Sequence, residues 1–418
     1  MAATGTLSLA YRQFGGFERA LTQQAQAYAK FVPGFALAMA PFDVQDLYRE
    51  LTRGDGCRSG RYDLVMAPTD WLPELMQLRL LQPLNELLAA DPPPDWPQGW
   101  SPSMRALQTA DGGGIYGLPY HDGPEVFMYR TDLFDDPDEQ ARFQQRTGHA
   151  LQPPQTWSAF LEVARFFTRP ERDLYGCVVA AKADGHNNVY DFLLHLWTRG
   201  GQLLHDGRPA FASPIGEQAL QYYIDLMHAH RVTQPEPWQY DSVASGEYYA
   251  SGRAAMMWNW CGFQAVADTP SLSRISGRTR ATFLPRGDDV GGRSVSLNIY
   301  WVLAIPSGCR DVNAAYRFLR HLATPAMDRL TTLAGGNGTR LSTWRDPEVR
   351  QRYQYYEIIE QVHANVESPP RLARYPEINE VLNDMMQRAT MSEGNAHSLL
   401  AEARACVASI LEPDRPSL

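Results

Sequence analysis

At 418 residues the chain is too long for one ordinary core, so two domains are the natural expectation. Its composition, 44% hydrophobic and 20% charged, is that of globular material rather than disorder. A net charge of −9 with no basic run argues against a nucleic-acid partner, and no segment has the apolar length of a membrane span. The basic residues are nearly all arginine, with Lys30 and Lys182 the lysines. Five cysteines (Cys57, Cys177, Cys261, Cys309, Cys406) lie far apart without metal-binding spacing. An odd number excludes complete intramolecular pairing, so at most one disulfide and otherwise buried thiols are expected. Neither a metal nor a cofactor is expected.

Thr6–Ala10 reads as a short apolar strand ending in the polar Tyr11-Arg12-Gln13. Phe17–Phe31 then carries Leu21, Ala25, Tyr28 and Ala29 on one helical face. Strand, polar turn and helix open an α/β domain. The pattern repeats with a strand at Phe35–Ala40 and a helix at Val44–Leu51. A third, nearly continuous apolar strand follows at Tyr62–Ala67. That strand runs into Pro68-Thr-Asp-Trp71. In doubly wound sheets ligands sit at the carboxyl ends of strands, which makes Asp70 and Trp71 candidate binding residues.

Asp91–Ser103, rich in proline and tryptophan, reads as a loop leading into Gly112–Phe134. Three glycines free the backbone to turn there. A polar stretch with Tyr120, His121 and Asp122 then separates two apolar runs, which suits a chain crossing from one domain to another. Thr156 is a plausible cap for a helix over Trp157–Thr168, whose apolar stripe is core. A strand at Tyr175–Ala180 leads to a polar loop containing His186, Asn187 and Asn188. Helices at Asp191–Arg199 and Gly216–Arg231 follow. Ser294–Ile305 alternates with period two, placing Trp301 with the apolar set and Asn298 and Tyr300 on the opposite face. Asp311 can cap a helix at Val312–Leu322, and Glu393–Leu411 ends the chain as a helix.

Several of these segments resemble one known family. They are Tyr-Gly-Leu-Pro119 with Met-Tyr-Arg-Thr-Asp-Leu-Phe134, the Trp197-Thr-Arg-Gly-Gly201 helix end, and Gly252-Arg-Ala-Ala-Met256. Thr282-Phe-Leu-Pro-Arg-Gly287 and Leu333-Ala-Gly-Gly-Asn-Gly-Thr-Arg340 complete the set. The chain is similar, over almost its whole length, to the family 1 extracellular solute-binding proteins of ABC importers. That group includes the maltose-binding and glycerol-phosphate-binding proteins. The resemblance implies a two-lobed α/β periplasmic binding protein fold with three crossings and a ligand cleft between lobes. Its crossings would fall at Gly117–Glu125, Ala281–Leu284 and Ala323–Ala326. One lobe would then span 1–119 plus 284–323, and the other 124–281 plus 326–418.

The implied ligand is a small sugar, polyol or acidic sugar derivative, and the implied partner is the membrane permease of an ABC importer. The protein itself would be a periplasmic or extracytoplasmic monomer. The first residues, Met-Ala-Ala-Thr-Gly-Thr, have neither the basic nor the apolar part of a secretory signal, so a leader upstream of Thr4 is expected in the native gene. Flat aromatics beside forked hydrogen-bonding groups suit a sugar's C–H faces and hydroxyl pairs. Tyr11, Gln13, Asp70, Trp71, Tyr120, His121, Asp122, Asn187, Trp258, Asn259, Trp260, Asn298, Tyr300, Asn337 and Arg340 are therefore the candidate contacts. About half of the aromatics are expected to be core. Arg12, His121, His186 and Arg340 leave an anionic sugar open, although Arg340 could instead hold its own Gly-rich turn. No G-x-S-x-G, HExxH or phosphate-loop motif occurs. The alternative is a carbohydrate-active cleft enzyme with Asp70 and Asp122 as its acid pair.

Overall fold

A computed structural model describes residues 5–110 and 112–412, so Met1–Thr4 and the leader expected before them lie outside the described residues. The chain divides into two units. The first comprises the described residues up to Gly123, then Asn298–Ala364 and Arg371–Ala373. The second comprises Pro124–Leu297, Asn365–Pro370 and the described residues from Arg374 onward.

The first unit is built on a five-stranded sheet in the order Ala36–Phe42, Thr6–Arg12, Leu64–Pro68, Trp301–Ala304, Leu118–His121. The first three strands run parallel and Trp301–Ala304 runs against its neighbours. Leu64–Pro68 is buried throughout, as a continuous apolar run in a covered sheet requires. The helix Gly15–Ala29 buries Phe17, Ala20, Leu21, Gln24 and Tyr28 along one stripe. Its close approach to the Gly-rich turn depends on Gly16, where a Cβ would lie 2.4 Å from the Gly335 carbonyl oxygen.

The second unit has a four-stranded sheet in the order Thr279–Thr282, Glu125–Arg130, Ala254–Trp260, Tyr175–Val178. The wholly buried helix Asn187–Thr198 covers one face and packs against Pro214–Met227 and Tyr375–Thr390. Tyr375–Thr390 in turn packs on Ala396–Ile410.

Helix caps fall where side-chain chemistry favours them. Thr156 accepts from the Ala159 N–H at 3.3 Å, and Asp311 from the Ala314 N–H at 2.9 Å.

Four expectations differ from the structure. Residues 284–297, expected in the first lobe after a crossing at Ala281–Leu284, belong to the second unit. The helix expected from Asp191 begins at Asn187, because Asp184 Oδ1 accepts from the His186 and Asn187 amides at 2.9 and 3.0 Å. Ser294–Ile305 is not one strand. It splits into Ser296–Leu297, paired with Val366–Glu367, and Trp301–Ala304 in the other sheet, because the chain changes unit between Leu297 and Asn298. The span from 326 to 364, expected in the second lobe, belongs to the first unit. The helix Pro325–Leu333 packs on Gly15–Ala29, and Gln24 Nε2 donates to the Met327 carbonyl and to Thr331 Oγ1, each at 2.9 Å. The late crossings fall instead at 364/365, 370/371 and 373/374.

Candidate functional site

Parallel strands with a common direction bring Arg12, Phe42, Pro68 and His121 to one edge of the first unit's sheet. There Trp301 pairs with both Pro68 and His121. The aromatic rings gathered at this edge form a contiguous set. Trp71 lies edge-on to Tyr48 at 5.1 Å and to Trp301 at 6.1 Å, while Phe17 meets His121 at 4.7 Å and Trp301 at 6.4 Å. Trp71 is buried, whereas Trp301 and His121 are partly exposed. The period-two pattern sets Trp301 with the apolar residues. It opens the strand Trp301–Ala304 at this edge of the sheet and is partly exposed there, and no local sequence signal reveals where that strand begins.

His121 has a fixed tautomer. Its Nδ1 accepts the Asn337 backbone N–H at 2.9 Å, which leaves Nε2 to carry the proton of the neutral ring. Burial, partly opposed by Asp122 and reinforced by Arg12, pulls the imidazole down to about 4. At neutral pH His121 is therefore an uncharged N–H donor.

Other first-unit candidates are occupied within the unit. Asp122 is buried, and its Oδ2 accepts from His363 Nε2 at 2.9 Å. His363 Nδ1 lies 3.0 Å from Ser103 Oγ, and its ring stacks on Trp344 at 4.6 Å. Sequence reasoning missed His363 and Ser103, which lie 241 and 19 positions away from Asp122 along the chain. Asn337 clamps the same backbone by accepting from the Asp122 amide and donating to the Asp122 carbonyl, both at 2.9 Å. Tyr120 donates to Gln24 Oε1 at 3.0 Å, and the hydroxyl of the fully buried Tyr300 donates to the Met104 carbonyl. Asn298 Nδ2 donates to the Ser103 carbonyl at 3.1 Å. Tyr11 is buried, Gln13 is exposed and Asp70 is partly exposed.

Arg340 is the clearest structural residue among the candidates. At 1% exposure it donates to the carbonyls of Ala323 and Pro94, at 2.7 and 2.8 Å, and to Asp95 Oδ2 at 3.0 Å. Its guanidinium also lies over the Trp100 ring at 4.3 Å. Those bonds tie the Gly-rich turn to the loop around Pro94 and leave no charge presented outward.

In the second unit the antiparallel register sets Glu125 opposite Trp260 and Phe127 opposite Trp258. Opposed residues share a face, so these four side chains line one side of the sheet. The helix Asn187–Thr198 answers with Asn187, Asp191 and His195 at four-residue spacing. Asn187 Oδ1 accepts from the Trp260 indole at 3.1 Å, and Asp191 Oδ1 from the Trp258 indole at 2.6 Å. Tyr223 donates to Asp191 Oδ2 at 2.8 Å. Trp258 is thereby core, and its ring packs on Trp157 at 5.5 Å and His195 at 5.4 Å. Asn259 is buried and donates to the Ser242 carbonyl at 3.0 Å and to Ser245 Oγ at 3.1 Å. Trp260 alone of this strand's candidates keeps partial exposure, with Tyr190 edge-on at 5.8 Å.

Glu125 and Asp191, which sequence reasoning also missed, are buried carboxyls. Burial pushes Asp191 up to about 7 despite its two hydrogen bonds, and burial with the nearby Asp191 charge raises Glu125 well above the ordinary range. Among the described residues, no group of three or more His, Cys, Asp or Glu is placed to hold a metal ion, and no helix is long and apolar enough to cross a membrane.

The arrangement is that of a binding module, with aromatic faces edged by oriented polar groups. The profile of the bacterial extracellular solute-binding protein family matches residues 22–328. The chain belongs to that family. Among its relatives is the mannitol-binding protein of Pseudomonas aeruginosa, 24% identical over 330 residues, covering 75% of this chain and 69% of that one. Among solved structures, an ABC transporter solute-binding protein from Agrobacterium radiobacter K84 in complex with ribitol superposes with a TM-score of 0.85. It is 22% identical and covers 97% of this chain and 98% of that one. Maltose-bound MalE3 of T. maritima superposes with a TM-score of 0.84 at 21% identity, covering 96% and 98%. At those identities the likeness establishes the fold, that of the ABC solute-binding proteins.

Proposed function

We propose that this protein captures an uncharged sugar alcohol or small sugar outside the cytoplasmic membrane and delivers it to the permease of an ABC importer without altering it. Each unit by itself offers residues to a ligand. The first unit offers Trp71, Trp301 and His121, and the second offers Trp260, oriented by Asn187. The observation that carries this reading is Trp260 itself, a partly exposed indole whose edge is fixed by a buried amide at 3.1 Å. A ring held in that way offers a C–H face a surface without losing rotamer freedom on binding. Family membership and the mannitol-, ribitol- and maltose-binding relatives support the same class of ligand.

An uncharged ligand is favoured because, of the cationic candidates, Arg340 is spent on carbonyls and Asp95, and His121 is neutral. The protein acts as a periplasmic or extracytoplasmic monomer. Asp122, which with Asp70 forms the acid pair of the alternative enzyme reading, is buried and its Oδ2 is bonded to His363.

A thermal-shift screen over mannitol, ribitol, glucose, maltose and glucose 6-phosphate tests the reading. A neutral ligand at a hundred times its dissociation constant should add about 2.7 kcal/mol. That ligand should be recovered unchanged after long incubation. Stabilisation by the phosphate alone, or turnover of the ligand, would overturn the reading.

A further inference from the structure

Glu125 opens the strand Glu125–Arg130, directly after the chain enters the second unit. It is 3% exposed, and its Oε2 is buried without a hydrogen-bond partner. Its backbone is secured, since the Glu125 carbonyl accepts from Ser296 Oγ at 2.5 Å, but that bond does nothing for the carboxyl. A buried carboxyl oxygen without a partner is costly, and a fold that needed only packing there would place an apolar residue. Cross-strand register sets this carboxyl directly opposite Trp260, the partly exposed indole of the same sheet face.

We infer that Glu125 is a ligand-binding residue whose orphaned carboxyl oxygen takes up a hydroxyl of the ligand beside the Trp260 ring. The inference rests on the reading above that the chain binds a polyol or sugar. The groups that set the state of Glu125 support it. Asp191 lies across on the covering helix, itself bound by the Trp258 indole and the Tyr223 hydroxyl. Burial and the Asp191 charge raise Glu125 well above the ordinary range and so favour its neutral form. A neutral carboxyl both donates and accepts, and so does a hydroxyl, so one ligand oxygen can meet both needs. A sugar phosphate or carboxylate would bring a second negative charge towards a buried acid pair and lose affinity.

The decisive experiment titrates D-mannitol, ribitol and maltose calorimetrically into wild type, Glu125→Gln and Glu125→Leu, with the unliganded thermal midpoint of each measured alongside. Whichever probe the wild type binds should bind Glu125→Leu about tenfold or more weakly. Glu125→Gln, which keeps a neutral donor and acceptor, should lose no more than about threefold. The unliganded midpoint of Glu125→Leu should stay level or rise, because the substitution removes an unsatisfied buried acid. Wild-type affinity in Glu125→Leu would overturn the inference while leaving the proposed function intact. Loss of affinity together with a lowered unliganded midpoint would show a structural role and overturn it as well. Absence of binding by the wild type to all three probes would remove the proposed function and this inference together.

Discussion

Asn187 Oδ1 accepts the Trp260 indole N–H at 3.1 Å, while the Asn187 amide nitrogen donates to Asp184 Oδ2 at 2.8 Å. The second bond fixes which end of the Asn187 amide faces the indole. The orientation of Trp260 is thus set by a chain of two side chains from the start of one helix.

Breaking that chain should lower affinity through orientation rather than contact. Asn187→Ala leaves the Trp260 ring in place but free to rotate, and should weaken polyol binding by about 1 kcal/mol, roughly fivefold. Trp260→Ala removes the face itself and should cost more. Isothermal titration of the two variants checks the order, and equal losses would contradict the positioning role of Asn187.

Arg340→Met should destabilise without touching the site. It leaves the Ala323 and Pro94 carbonyls without a charged donor, at a cost of about 1–3 kcal/mol. Urea unfolding should show the loss, and the folded fraction should bind its ligand as the wild type does. A large drop in affinity at unchanged stability would restore Arg340 to the ligand site.

The pH dependence of stability has a defined sign. Asp191 is raised from 3.8 to about 7, so the folded state holds its proton more tightly than the unfolded chain. The resulting stability is fully present below pH 3.8 and is lost as pH rises through about 7. Glu125, also raised, adds in the same direction. Chemical unfolding from pH 5 to 8 should show a fall in stability with rising pH that flattens in Asp191→Asn. An unchanged slope in that variant would place the titration elsewhere.

His121 runs the opposite way. Its folded value of about 4 lies below the ordinary 6.5, so its contribution is present above pH 6.5 and lost as pH falls through about 4. Nitrogen-resolved NMR of the imidazole should show the Nε2–H tautomer, unprotonated from pH 8 down to 5. A midpoint near 6.5 would mean that the Asn337 N–H does not hold Nδ1.

Local patterns made much of the fold legible. The strands Thr6–Arg12 and Leu64–Pro68 and the helix Val312–Leu322 follow from apolar runs and from a capping carboxylate at Asp311. What stayed hidden depends on partners far away in sequence. The division of Ser294–Ile305 into two strands follows from a change of unit at Asn298, and the placement of 326–364 from Gln24 reaching Met327 and Thr331. The candidate site was legible by residue type but not by role. Arg340, Trp258 and Asn259 have the chemistry of ligand contacts, yet their bonds run to carbonyls, a carboxylate and a hydroxyl within their own units. Glu125 carried no local signal, because its place opposite Trp260 is set by the pairing of two strands far apart in sequence.

Calorimetric titration of the wild type with D-mannitol and with mannitol 1-phosphate at pH 7 tests the central claim, an uncharged polyol or sugar ligand, most directly. The account predicts saturable one-to-one binding of mannitol, or of ribitol or maltose in its place, with the phosphate bound at least tenfold more weakly. Preferential binding of the phosphate would contradict it.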